Sequence, residues 1–312
     1  MSSPTLSAPG VTVALTEGGV HRVLHGDAQG IYALGTLTPT FTGALLAVLA
    51  SRGELQLDTP LSALIPRGLL PDEAAGSLTL AQLATHTAGL PWLPPNLGAH
   101  RPEDPLGAFT ALHFGELLRG LHPVKPPPHP YAESLVGAGI LGHALGRRAG
   151  VNYAHAVRDH VCTPLGLTDT NARPTDEQQP RVRAGHDARG RPLPAWTFPA
   201  LPGAGALYSS AGDLLRFLDA QLGHAPLSAA LRLTHVPRAR AGRRQVGLGW
   251  LIDEGPVLWR SSVLGGFSAF LGFAPQRDRG VVVLSDHGRS RIDAFLRREP
   301  LVKAGLSMLH QA

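Results

Sequence analysis

Strand-like alternation at both ends of the chain, with helix-like patterning between, constrains the fold more than any other feature of this sequence. At the start Val11-Thr12-Val13-Ala14-Leu15 alternates, Glu17-Gly18-Gly19 supplies a turn, and Val20 to Leu24 returns, the pattern of an antiparallel hairpin. After Gly247 the segments LGWLIDE, VLWRSSV, SAFLGFAP and GVVVLSD follow one another, with turns at Glu254-Gly255, Gly265-Gly266 and Arg277 to Gly280. That spacing reads as an antiparallel meander. Strands from both termini with helices between them imply one sheet assembled from the two chain ends. The expected fold class is α+β: residues 1–53 and 200–312 form an α/β sheet domain, and residues 54–199 an inserted, mainly helical domain.

From Thr38 the string TPTFTGALLAVLASRG is almost wholly apolar, bracketed by a Thr-Pro start and the Gly53 stop. It predicts a helix buried on most of its circumference, with Thr38 as N-cap and Pro39 just inside. Shorter apolar helices are expected at Leu78 to His86, Ser134 to Arg148 and Tyr153 to Cys162, separated by Pro- and Gly-rich connectors. PWLPPNLG and HPVKPPPHP read as stiff, extended surface segments. The stretch Ile292 to Leu309 predicts a closing helix, and no internal repeat is visible.

Hydrophobic residues make up 43% and charged ones 16% of the 312 residues, enough apolar surface for a large core and against disorder. A lone cysteine, Cys162, excludes an internal disulfide framework and thiolate metal clusters,. The first residues carry neither a basic nor an apolar signal region, and no apolar run of about 18 residues appears. The expectation is a soluble cytoplasmic protein. A net charge of +5 and the cluster Arg238, Arg240, Arg243 and Arg244 invite a nucleic-acid reading. Without an aromatic platform or a nucleic-acid module, a solvated loop is the expected role of these arginines.

Seven strings occur in an order that is similar to the class C β-lactamase family and its relatives among esterases and D-alanyl-D-alanine carboxypeptidases. They are PGVTVAL, YALGTLTPTFTGALLAVLASRGELQLDTPLSALIP, LTLAQLATHTAGLP, PLGLTDT, GAGALYSSAGDLLRFL, GLGW and GGFSAFLGFAPQRDRGVVVLSD, running from about Pro9 to Asp286. The resemblance implies the β-lactamase and DD-peptidase fold and an ancestral acyl transfer through a serine ester. That chemistry uses Ser-x-x-Lys at a helix start, Tyr-x-Asn, and Lys- or His-Thr-Gly on a strand. A hydroxyl needs a base within hydrogen-bond reach, and the oxyanion needs aimed N–H donors.

By this resemblance Thr36 stands at the nucleophile position and Pro39 at that of the lysine, so the base is gone. Lys125, in a Pro-rich loop, and Lys303, in the C-terminal segment, are poor substitutes. The second motif reads Tyr131-Ala132-Glu133, which keeps the tyrosine and replaces an amide by a carboxylate. The third aligns with Arg260-Ser261-Ser262, where arginine replaces the lysine or histidine and Ser262 the glycine. The leading expectation is therefore a catalytically silent or very weak member of the serine-hydrolase family, its cleft lined by Glu133, Arg260, Ser261 and Ser262. One alternative is a divergent amide or ester hydrolase that uses Thr36 with Tyr131 or Glu133 as base. Another is a binding module in which Arg260 clamps a small carboxylate, against the simpler reading that Arg260 and Glu133 form a salt bridge filling the cleft.

His86, within THTAGLP, is expected as a hydrogen-bonded helix end, and Ser209 and Ser210 as caps of the helix that follows them. His155, Asp159 and His160 share a helix but lack a third well-placed ligand. No metal, cofactor, nucleic-acid partner or membrane contact is expected; the ligand left open is a small carboxylate or acyl compound, and the oligomeric state is not indicated.

Overall fold

The computed structural model describes residues 4–98, 101–123, 129–288 and 299–311. Among the described residues there are ten strands: β1 Val11–Glu17, β2 Val20–His25, β3 Ile31–Ala33, β4 Tyr208–Ser210, β5 Ala239–Ala241, β6 Arg244–Val246, β7 Leu251–Asp253, β8 Val257–Leu264, β9 Phe267–Ala274 and β10 Arg279–Ser285. Eight of them form one antiparallel sheet in the order β2-β1-β10-β9-β8-β7-β6-β5, while β3 and β4 pair separately. The first and last strands of the expected layout thus meet at β1 and β10, where Val11 pairs with Ser285 and Glu17 with Arg279.

The apolar runs of β9 and β10 are explained by burial on both sheet faces. Along β9, Leu271 and Phe273 join the large core shared with the helical part, whereas Phe270 and Ala274 join a second core with Val302 and Leu309 of the helix Pro300–His310. Two layers of helix therefore sandwich the sheet. The described part of the closing helix begins at Pro300; the expected earlier residues, and Lys125 with the middle of HPVKPPPHP, lie outside the described residues.

At the centre stands α1, Thr38–Ser51, buried from Thr38 to Leu49. Its hydroxyls are satisfied locally and across the core: Thr40 donates to the Leu37 carbonyl at 2.8 Å, and Thr42 bonds the Tyr153 hydroxyl at 2.8 Å. The expected Thr38 cap is not formed. A 3-10 turn, Gly35–Leu37, runs straight into α1, so the Thr38 N–H already donates to the Gly35 carbonyl. The Thr38 hydroxyl instead accepts from Leu207 N–H at 3.2 Å. Pro39 sits in the first turn, where its missing N–H removes no intrahelical bond,.

The helix after β4, Ala211–Leu222, is capped by Ser210 alone, which accepts from Asp213 N–H at 3.3 Å. Ser209 bonds Thr170 at 2.8 Å. The arginines expected on a loop lie on and around the β5–β6 hairpin, with Arg244 bonded to Asp253 at 2.8 Å and stacked 4.9 Å over Trp259. Among the described residues no helix is long and apolar enough to cross a membrane.

Candidate functional site

β7 is only three residues long and pairs with β8 from Val257 to Trp259. Beyond Trp259, β8 pairs with β9 on one side, and the other edge is met by the Gly35–Leu37 turn. Three consecutive residues of β8 bind one residue of that turn. Arg260 Nε donates to the Thr36 carbonyl at 3.3 Å, the Ser261 carbonyl accepts from the Thr36 hydroxyl at 3.3 Å, and Ser262 Oγ accepts from Thr36 N–H at 2.9 Å. Gly35, at φ +50°, makes this approach possible: a Cβ there would lie 2.6 Å from Ser262 Oγ,.

The opposite wall comes from the helical part. Ser134 caps the helix Leu135–Arg148 by accepting from Gly137 N–H at 2.9 Å, and the extended residues before it carry Tyr131 and Glu133 into the site. Arg260, 3% exposed, reaches across to them. Its Nη1 donates to the Tyr131 hydroxyl at 3.1 Å, and its Nη2 pairs with the Glu133 carboxylate. Burial works against the guanidinium charge, yet Glu133 and Tyr131 outweigh it and hold the Arg260 pKa above its ordinary value,.

His86 completes the cluster. It is a buried, non-glycine residue at φ +56°, a left-handed conformation that costs roughly 1 kcal/mol or more,. The Ala132 N–H donates to its carbonyl at 3.0 Å and the Ser134 N–H to its Nδ1 at 3.2 Å, so this backbone turn anchors the Tyr131–Ser134 segment. Burial, with the Arg260 charge, pushes the His86 pKa down to about 3. The neutral ring accepts at Nδ1 and therefore carries its proton on Nε2, which stands 3.4 Å from Arg260 Nη2,. Two donors face each other there, so the contact is a close approach, not a bond.

The structure thus brings Thr36, Tyr131, Glu133, Arg260, Ser261 and Ser262 into one network and adds His86. The sequence reading treated His86 as a helix end; its left-handed backbone and its approach to Arg260 have no local signature. Pro39 lies on α1 and is wholly buried, and Lys303 is carried by the helix on the far face of the sheet. Neither supplies a proton acceptor to Thr36.

A hydroxyl at the start of a buried helix, a tyrosine from the helical part and an open strand edge converge in the layout expected of acyl-serine enzymes, and the Beta-lactamase family model matches residues 4–301. The chain belongs to the β-lactamase family. This family of serine hydrolases also holds the curated relatives. D-alanyl-D-alanine-carboxypeptidase/endopeptidase AmpH of Escherichia coli (strain K12) is 27% identical over 280 residues, covering 82% of this chain and 71% of that protein. Penicillin-binding protein 4 of Amycolatopsis lactamdurans is 24% identical over 315 residues, covering 90% and 81%. A class C β-lactamase structure from Rhodobacter sphaeroides superposes with a TM-score of 0.78 at 24% identity, covering 96% of this chain and 95% of that one. In this β-lactamase-family chain, His155 and His160 hold no shared ion site: His160 Nδ1 meets Arg52 at 2.7 Å, and Asp159 accepts from Arg158 at 2.8 Å.

Proposed function

We propose that this β-lactamase-family protein is catalytically silent and that its cleft is held shut by its own side chains. One observation carries the reading: both polar groups of Thr36 that acyl transfer would use are bonded to β8. Its hydroxyl donates to the Ser261 carbonyl, which is no general base, and its N–H is bound by Ser262 Oγ. Loss of a base removes about 10²- to 10⁴-fold of rate, and loss of one oxyanion donor about 10²- to 10³-fold more. The Arg260–Glu133 pair supports the same reading, since a substrate carboxylate would have to displace Glu133 from a guanidinium whose nitrogens are already engaged.

The test is intact-protein mass spectrometry after incubation with a penicillin and with an activated ester. The expected spectrum is unmodified protein. A covalent adduct that maps to Thr36 and disappears in Thr36→Ala would overturn the proposal in favour of a hydrolase that uses this residue.

A further inference from the structure

We propose that His186, Asp286 and His287 form a site for a first-row divalent metal ion where β10 ends, at a cavity that Ser261, Ser262 and His287 line together. The three side chains each offer one ligand atom, all within 4.8 Å of one another. Ligands around one ion at metal–ligand distances of about 2.0–2.2 Å sit about 3–4 Å apart, so small side-chain rotations close the set. No metal site is expected from the sequence, and this one escapes it because its residues are spread from position 186 to position 287, where no spacing rule joins them.

The backbone holds the two segments together before any ion arrives. His186 N–H donates to the Asp286 carbonyl at 2.8 Å, and Gly288 N–H donates to the His186 carbonyl at 2.7 Å. Ser268 Oγ donates to the His287 carbonyl at 2.7 Å, fixing that residue from β9. Gly266 permits the crossing, for a Cβ there would lie 2.5 Å from His186 N. A site built on chain segments locked in this way is preorganised and loses little entropy on binding.

The protonation pattern also suits a metal. His186 Nδ1 lies 3.2 Å from the Asp286 carbonyl, an acceptor only, so this nitrogen carries the proton and Nε2 keeps its lone pair,. His287 Nδ1 lies 2.7 Å from Asp286 Oδ1, a separation at which the two atoms can face one ion, with the ring proton on Nε2,. An imidazole bound through one nitrogen and anchored through the other by a backbone carbonyl, as His186 is by Asp286, is the usual outer-shell arrangement of a metal site,. Asp286 Oδ1 is then the anionic ligand. The rings lie 5.1 Å apart, and the His287 side chain is 41% exposed, so further coordination positions open to solvent. Two imidazoles and a carboxylate favour Zn²⁺, Ni²⁺ or Co²⁺ over Mg²⁺ or Ca²⁺.

The experiment is isothermal titration of the EDTA-stripped, dialysed protein with Zn²⁺, and with Co²⁺ followed by visible absorption. The expected result is one equivalent bound with micromolar affinity and cobalt bands of low coordination number. Binding should weaken at least tenfold in His287→Gln and in His186→Ala, and Mg²⁺ should not compete. Should His186→Ala fail to fold, His287→Gln decides, because that side chain is well exposed and its loss leaves the sheet intact. Absence of binding to the wild type, or binding unchanged in His287→Gln, would overturn the proposal and assign any uptake to other histidines.

Discussion

Thr36 N–H donates to Ser262 Oγ at 2.9 Å, joining residues 226 positions apart and tying the turn before α1 to the edge of β8. A glycine at position 262 would leave this amide free. In the Ser262→Gly variant the buried donor loses its partner, and the expected loss of stability is about 1–2 kcal/mol. For a chain of this length that lowers Tm by roughly 2–4 °C per kcal/mol, measurable by calorimetry. The same variant should still form no acyl adduct, since it restores a donor but not a base. An unchanged Tm would mean that this hydrogen bond is not made in solution.

Glu133 neutralises a guanidinium that is itself almost fully buried. Glu133→Ala strands that charge and is expected to cost about 2 kcal/mol, less than a fully buried pair because the Glu133 side chain is 35% exposed,. Replacing both partners, as Glu133→Ala with Arg260→Met, should recover part of the loss, since an apolar pair has no charge to desolvate. Urea denaturation of the two single variants and the double variant measures this coupling. Additive losses would show that the ion pair contributes nothing.

His86 links stability to acid. Its folded pKa is pushed down to about 3, against about 6.5 in an unfolded chain,. The unfolded state therefore binds the proton first: the stabilisation is complete above about pH 6.5, falls as pH drops, and is gone near pH 3, at roughly 5 kcal/mol for the full span. His235, pushed down to about 4 by burial and by Arg232, adds a slope of the same sign. In His86→Asn, which tolerates the left-handed backbone and cannot protonate, the dependence of unfolding free energy on pH between 6 and 3 should be shallower by one proton's contribution, about 1.4 kcal/mol per pH unit. An unaltered slope would exclude His86 as its source.

Much of the fold was legible because its signals are local. The Gly18-Gly19 turn between alternating residues marks the β1–β2 hairpin, and the apolar runs of β9 and β10 mark strands covered on both faces. The three-residue strands β3 to β6 were not legible. They gain their identity from partners as remote as Ile31 and Ser210, and Arg240 and Arg244 carry no apolar alternation. The Thr38 cap failed for a related reason: a cap is needed only where the preceding chain is not already helical, and the conformation of Gly35–Leu37 is set by its packing on β8.

The sequence alone determined the β1–β2 hairpin, the antiparallel meander near the C-terminal end, the buried α1 and, by resemblance, the kinship to the β-lactamase family. The elements follow from periodicity and turn chemistry, the kinship from a resemblance carried by strings of residues in order along the chain. Only the tertiary structure decided that Arg260 is spent on Glu133 and Tyr131, that Ser262 binds the Thr36 amide, and that His86 joins them in a left-handed turn. Hydrogen bonds and charge pairs depend on distances of about 3 Å, and for residues more than a hundred positions apart those distances exist only after the core has packed.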